Sequence, residues 1–120
     1  MNLNEKIKEL LGKTGLDVEQ DEYNGNEDKY ILFIYEDERP ELRANNKVLA
    51  DTYYLQIQLI TPKNFNYMDL KKQIRNLLEE GDFTVYSIVS FLGDIYSGTE
   101  KTRQTVFHVE YTEGRSNENG

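Results

Sequence analysis

Val48-Leu49-Ala50-Asp51-Thr52-Tyr53-Tyr54-Leu55-Gln56-Ile57-Gln58-Leu59-Ile60-Thr61 is the longest strand pattern in the chain. Leu49, Tyr53, Leu55, Ile57 and Leu59 share one parity, and Thr52, Tyr54, Gln56 and Gln58 share the other. Side chains alternate across a strand. The first set therefore predicts a core face and the second a polar, uncharged outer face. Thr61-Pro62-Lys63-Asn64 breaks the run.

Upstream, Lys29–Tyr35 is apolar at every position from Tyr30, which predicts a central strand covered on both sides. Glu36-Asp37-Glu38-Arg39-Pro40 should end it, because proline cannot donate to a ladder and carboxylates want water. Glu41 to Lys47 then reads as a polar loop. Before the strand, Asn24-Gly25 favours positive φ and predicts a hairpin back to a short strand, Leu16–Gln20. The chain begins with a helix whose apolar face is Leu3, Ile7, Leu10 and Leu11, with Asn2 as N-cap and Gly12 as stop.

Downstream, Leu70, Ile74, Leu77 and Leu78 mark a second helix from about Tyr67 to Glu80, capped by Asn66 with Asp69 and stopped by Gly81. Phe83–Leu92 and Arg103–Tyr111 read as two further strands joined through Gly93–Thr102. In the last strand Thr105, Phe107, Val109 and Tyr111 should point inward, and Gln104, His108 and Glu110 outward. The order is α-β-β-β-α-β-β. This predicts an α+β fold, a mostly antiparallel sheet with both helices packed on one face. Residues 1–113 form the domain, and 114–120 a polar, frayed tail.

The chain has 120 residues and a net charge of -8, from 22 acidic and 14 basic residues. It has no cysteine, which excludes disulfides, thiolate metal sites and cysteine nucleophiles. The acidic balance argues against sequence-specific nucleic-acid binding. No apolar run approaches the ~20 residues of a membrane helix, and Met1–Glu5 lacks the character of a signal peptide. The expectation is a soluble cytoplasmic protein without membrane contact.

Catalytic and metal patterns fail one by one. Gly12-Lys13-Thr14 has Ile7 where a phosphate loop needs its first glycine. An EF-hand register centred on Gly25 puts Gln20 and Ile31 where carboxylate ligands belong. His108 is the single histidine and lacks evident partners, so it reads as an exposed or interface residue. The carboxylate pairs Glu36/Glu38 and Glu79/Glu80 sit where water screens them. The expectation is a protein that is not an enzyme, without cofactor or metal. Tyrosine carries more information. Nine tyrosines, together with uncharged Gln and Thr on a strand face, suit a protein interface.

Arg43-Ala44-Asn45-Asn46-Lys47-Val48 runs into Tyr53-Tyr54-Leu55-Gln56-Ile57-Gln58-Leu59-Ile60-Thr61. A helix, a glycine stop and the closing Phe107-His108-Val109-Glu110-Tyr111 follow. From the first helix to Tyr111 this resembles the tail terminator (tail completion) proteins of Gram-positive siphophages and prophages. Asn45 departs from the family pattern, which has aspartate there. The resemblance implies a hexameric ring that caps the tail tube, stops its growth and offers a surface to the head connector, in the host cytoplasm and then at the head-proximal end of the tail. It implies self, tail tube protein and head completion protein as partners, and transfers no catalytic residue. Such a ring is a heterologous contact that needs two unlike surfaces per subunit. An acidic lumen would let DNA pass by like-charge repulsion. Contact residues are expected in the loops Glu38–Lys47 and Asp94–Arg103 and on the outer strand row. They are Arg39, Arg43, Asn45, Asn46, Lys47, Thr52, Tyr54, Gln56, Gln58, Asp94, Tyr96, Lys101 and Arg103. Two other readings stay open: a head completion or head–tail connector protein, and an acidic immunity- or antitoxin-type inhibitor that masks a basic enzyme surface.

Overall fold

The computed structural model describes residues 2–44, 47–94 and 101–115. Within them the elements run α1 (Leu3–Gly12), β1 (Asp17–Gln20), β2 (Tyr30–Ala44), β3 (Lys47–Pro62), α2 (Met68–Glu80), β4 (Thr84–Asp94) and β5 (Lys101–Gly114). The strands form one five-stranded sheet in the order β1-β2-β3-β5-β4, antiparallel except for the β1–β2 pair. The molecule measures 57 × 25 × 25 Å, because β2, β3 and β5 are long and lie side by side.

Both helices pack on one face of the sheet. Leu3, Ile7 and Leu11 of α1 and Ile74, Leu77 and Leu78 of α2 meet Ile31, Phe33, Leu55, Ile57, Leu59, Phe107 and Val109 in a single buried cluster. These positions are the apolar stripes that the helical and strand periods predict. Asn2 caps α1 as expected, accepting from the Glu5 N–H at 2.9 Å. At the other helix the Asn66 side chain accepts from the Met68 N–H at 3.2 Å, while Tyr67 holds the N-cap position itself. The stops fall where expected. Gly12 and Gly81 end the helices, but the left-handed residues are Gly15 (φ 82) and Asp82 (φ 71). Gly81 lies where the helices touch, and a Cβ there would come 2.5 Å from Leu10 Cδ2 and push the end of that side chain aside.

Several expectations are corrected. β1 and β2 are parallel, with Val18 opposite Ile31, so Asn24-Gly25 makes no hairpin. A parallel pair cannot be closed by a tight turn. The intervening stretch folds back on Tyr23, which stacks on Tyr30 at 3.9 Å and bonds to Asp17 at 2.7 Å. Gly25 lies against that ring, since a Cβ would meet Tyr23 Oη at 2.2 Å. β2 continues through Pro40, which pairs with Asp51, and reaches Ala44. Proline is tolerated because β1 covers only Tyr30–Phe33, leaving the rest of β2 as a free edge. The apolar outer side of β2 is also not covered by a second layer: Tyr30, Leu32 and Ile34 are half-buried on the open face. Of the expected contact loops, Glu38–Ala44 lies in β2, Lys47 in β3, Asp94 in β4 and Lys101–Arg103 in β5, while 45–46 and 95–100 fall outside the described residues. Gly114 belongs to β5, and Arg115 is tied to Asp51 by a two-bond ion pair at 2.7 and 2.8 Å, so the domain reaches past the expected boundary.

Candidate functional site

The face of the sheet away from the helices is built by four strands. Register places Thr52, Tyr54, Gln56, Gln58 and Ile60 of β3 on it, beside Val106 and His108 of β5 and Val89 and Phe91 of β4. Two β-bulges shape it, one between Tyr35 and Asp37 and one between Val85 and Ser87. Through the ladder Leu55–Val109 and Gln56–His108, the two bulges lie at the same level of the sheet. A bulge re-aims the extra residue. Here Glu36 and Tyr86 turn onto the open face and flank Gln56 and His108. Gln56 Nε2 donates to Glu36 Oε2 at 3.0 Å, and Gln58 Nε2 donates to Gln56 Oε1 at 2.9 Å. His108 Nδ1 lies 3.6 Å from Glu36 Oε1, and the His108 and Tyr86 ring centroids are 6.1 Å apart. Burial pushes the Tyr86 phenol up, with the Glu36 and Glu110 charges adding to the shift.

Around this row the face is apolar and uncovered. Tyr86, Val89 and Phe91 are 55%, 47% and 45% exposed, and β4 is an edge strand with no charged residue from 84 to 93. Natural edge strands usually carry charge or proline to block pairing. β2 does so along its free edge, and β4 does so only at its last residue, Asp94.

The expected contact residues separate into three places. Tyr54, Gln56 and Gln58 lie on the open face as anticipated. Tyr54 carries the Arg39 guanidinium at 5.1 Å, and Arg39 also bonds to Asp37 at 2.8 Å. That bond, with the Glu38 N–H, holds the Asp37 carboxyl below its usual range. Thr52 is not a contact residue. It is 2% exposed, and its hydroxyl is consumed by Glu41 Oε2 and Thr112 Oγ1, each at 2.8 Å. Arg43 and Lys47 lie in the paired ends of β2 and β3, and Asn45 and Asn46 fall outside the described residues. Asp94 and Lys101 pair at the opposite end of the molecule, and Tyr96 is outside the described residues. Arg103 lies on the helix-bearing side, 4.9 Å over the Tyr67 ring. Ser90, then Arg103 and Lys71, hold the Tyr67 phenol below its ordinary range.

Sequence reasoning missed Glu36 and Tyr86 as members of the face, because period-two counting fails across a bulge. The uncharged stretch 84–93 was a legible signal for the exposed edge. Among the described residues no three of Asp, Glu and His converge to hold a metal ion. No helix among them is long and apolar enough to cross a membrane.

No protein-family model matches the chain, and no curated protein sequence matches it. Among solved structures fifteen chains match, so the architecture is one that other sequences also adopt. One of them is similar over 94% of this chain and 92% of its own length, with a TM-score of 0.52 and 9% identity, a likeness of fold alone.

Proposed function

We propose that the chain is a structural subunit of a phage or prophage tail, a tail terminator that acts as a hexameric ring. The ring caps the tail tube and presents a surface to the head completion protein, without catalysis, metal or cofactor. The whole-chain resemblance suggests the role. The observation that carries it is the open sheet face, where two level bulges frame a polar-aromatic row beside an unguarded edge strand. An exposed face that combines apolar side chains with polar hydrogen-bonding groups has the composition of a protein contact. The free β4 edge and the charged β2 edge are unlike, as a heterologous ring requires. Such a subunit is made in the host cytoplasm and ends at the head-proximal tip of the tail.

The test is electron microscopy of particles from a phage or prophage lacking the gene. Overlong or headless tails support the terminator role, since tube growth has lost its stop. Filled heads with free tails of normal length move the assignment to the head–tail connector. Normal virions overturn both and bring forward the acidic inhibitor.

A further inference from the structure

We propose that neighbouring copies of this chain dock head to tail through an acidic depression at one end and a basic corner at the other. The inference rests on the ring reading and names the surfaces that would close it. The depression, of about 530 Å³, opens on the helix-bearing side between the start of α1 and the sheet, among Asn2, Leu3, Tyr35, Tyr53, Glu38 and Glu113. Glu38 pairs with Tyr53 across β2 and β3, and Glu113 with Asp51 across β5 and β3, which brings both carboxylates to that side. Glu36 and Asp37 also line the depression but have partners, Gln56 and His108 for Glu36 and Arg39 for Asp37, and the adjacent Asp51 has Arg115. Among the described residues neither the Glu38 nor the Glu113 carboxylate has a cation. Their charges help push the phenols beside them upward. The charge of Arg115, itself tied to Asp51, reaches Glu38, and among the described residues the acids around the depression outnumber it.

The corner is the reverse. Arg103 and Lys71 converge on the Tyr67 ring at 4.9 and 5.8 Å, and neither forms an ion pair among the described residues. Exposed Lys63 and Lys101 lie at the same end, where β3 finishes and β5 begins. Asp69, in the first turn of α2, is the acid on the adjoining helix. Asp94 stands opposite Lys101 in the ladder as the other acid at this end, so among the described residues four cations stand against two acids, in a chain of net charge -8. Arg103 and Glu113 share one strand and one face, ten residues or ~33 Å apart, so one copy cannot satisfy both sites itself. A second copy can, and the contact is heterologous because the joined surfaces differ. Complementary charge also fixes which copies meet and in what orientation.

The experiment uses two charge-reversed forms of the full chain, Glu38→Arg with Glu113→Arg, and Lys71→Glu with Arg103→Glu. Circular dichroism and thermal unfolding first establish that each folds. Light scattering in low and high salt then measures association. The wild type should self-associate at low salt and release at high salt. Each reversed form alone should associate about 100-fold more weakly or not at all. An equimolar mixture of the two should associate again, since each then supplies the other's complement. A wild type that stays monomeric at low salt, or reversed forms that associate unchanged, overturns the docking. So does a mixture that remains dissociated. Overlong tails from the gene deletion alongside unchanged association of the reversed forms would leave the terminator role standing and remove only these surfaces. Restored mixing alongside normal virions would do the opposite.

Discussion

The two faces of the sheet solve the same problem by different means. The covered face is settled by burial: Phe33, Leu55, Ile57, Leu59, Phe107 and Val109 are fully buried beneath the helices. The open face is settled by side-chain bonds across strands. Glu36, Gln56 and Gln58 form a chain of them, while Val89 and Phe91 stay nearly half exposed. Apolar burial is non-directional and large, so it specifies the fold. Surface bonds are individually small and exchange with water, so they shape a face without supporting the core. Phenylalanine truncations on the two faces measure the contrast. Phe107→Ala should lower unfolding free energy by about 3–5 kcal/mol in denaturant titrations, from lost transfer energy plus a cavity. Phe91→Ala should cost under about 1 kcal/mol, because its ring is already half in water. Equal losses would break the comparison and mean that the open face is a second core.

The next contrast is between two threonines of β3. Thr52, on the open side, is buried with its hydroxyl bonded to Glu41 and Thr112. Thr61, on the helix side, is 1% exposed and its hydroxyl has no hydrogen-bond partner among the described residues. Thr52→Val should therefore cost about 1–2 kcal/mol, since it strands two bonded groups. Thr61→Val should be neutral or stabilising by up to about 1 kcal/mol, as it removes an unmet polar atom of the same shape. Thermal unfolding of the two variants, run together, reads the difference in sign.

The covered face was legible in the sequence because burial writes itself as periodicity. The stripes of α1 and α2 and the inward row of β3 and β5 follow directly from residue spacing. The open face was half legible. Gln56 and Gln58 alternate visibly, but Thr52 reads like them and is buried, since its burial depends on Glu41 and Thr112, which belong to other strands. The extent of β2 was hidden by local rules. Proline and four charges in Glu36–Pro40 signal a strand end, and only the shortness of β1 makes that stretch an edge where both are tolerated. The parallel β1–β2 pair was hidden for a related reason. Asn24-Gly25 has the chemistry of a hairpin turn, and strand direction is a tertiary choice that two residues do not fix.

The border between the faces can be probed by pH. The Tyr35 phenol, donating to Asn4 Oδ1, is pushed up to about 12 by burial, with Tyr53, Glu113 and Glu38 adding to the shift. An acid that holds its proton more tightly when folded adds stability below the unfolded pKa near 10. It loses that stability as pH rises toward about 12, because the unfolded chain releases the proton first. Water reaches part of the ring and screens the charges, so the expected loss is about 1–2 kcal/mol. Tyr35→Phe should flatten this decline in denaturant midpoints measured across that range, relative to the wild type. An unchanged slope would place the titrating group elsewhere.

The smallest effect expected is at Glu36, and its smallness is the point. The Glu36 side chain sits on a bulge, partly in water, with Gln56 and His108 as partners. Glu36→Gln keeps an acceptor for Gln56 and removes only the charge facing His108. Partly exposed pairs contribute little, so stability should change by less than about 0.5 kcal/mol. A bulge is a local cost in ladder bonds, and two at one level are hard to explain by stability if the groups they aim contribute so little to it. A contact surface explains them, because the groups are then satisfied by a partner rather than by the chain itself. If Glu36→Gln instead costs more than about 1 kcal/mol in the isolated subunit, the row is internal support. The contact would then have to lie along the uncharged β4 edge.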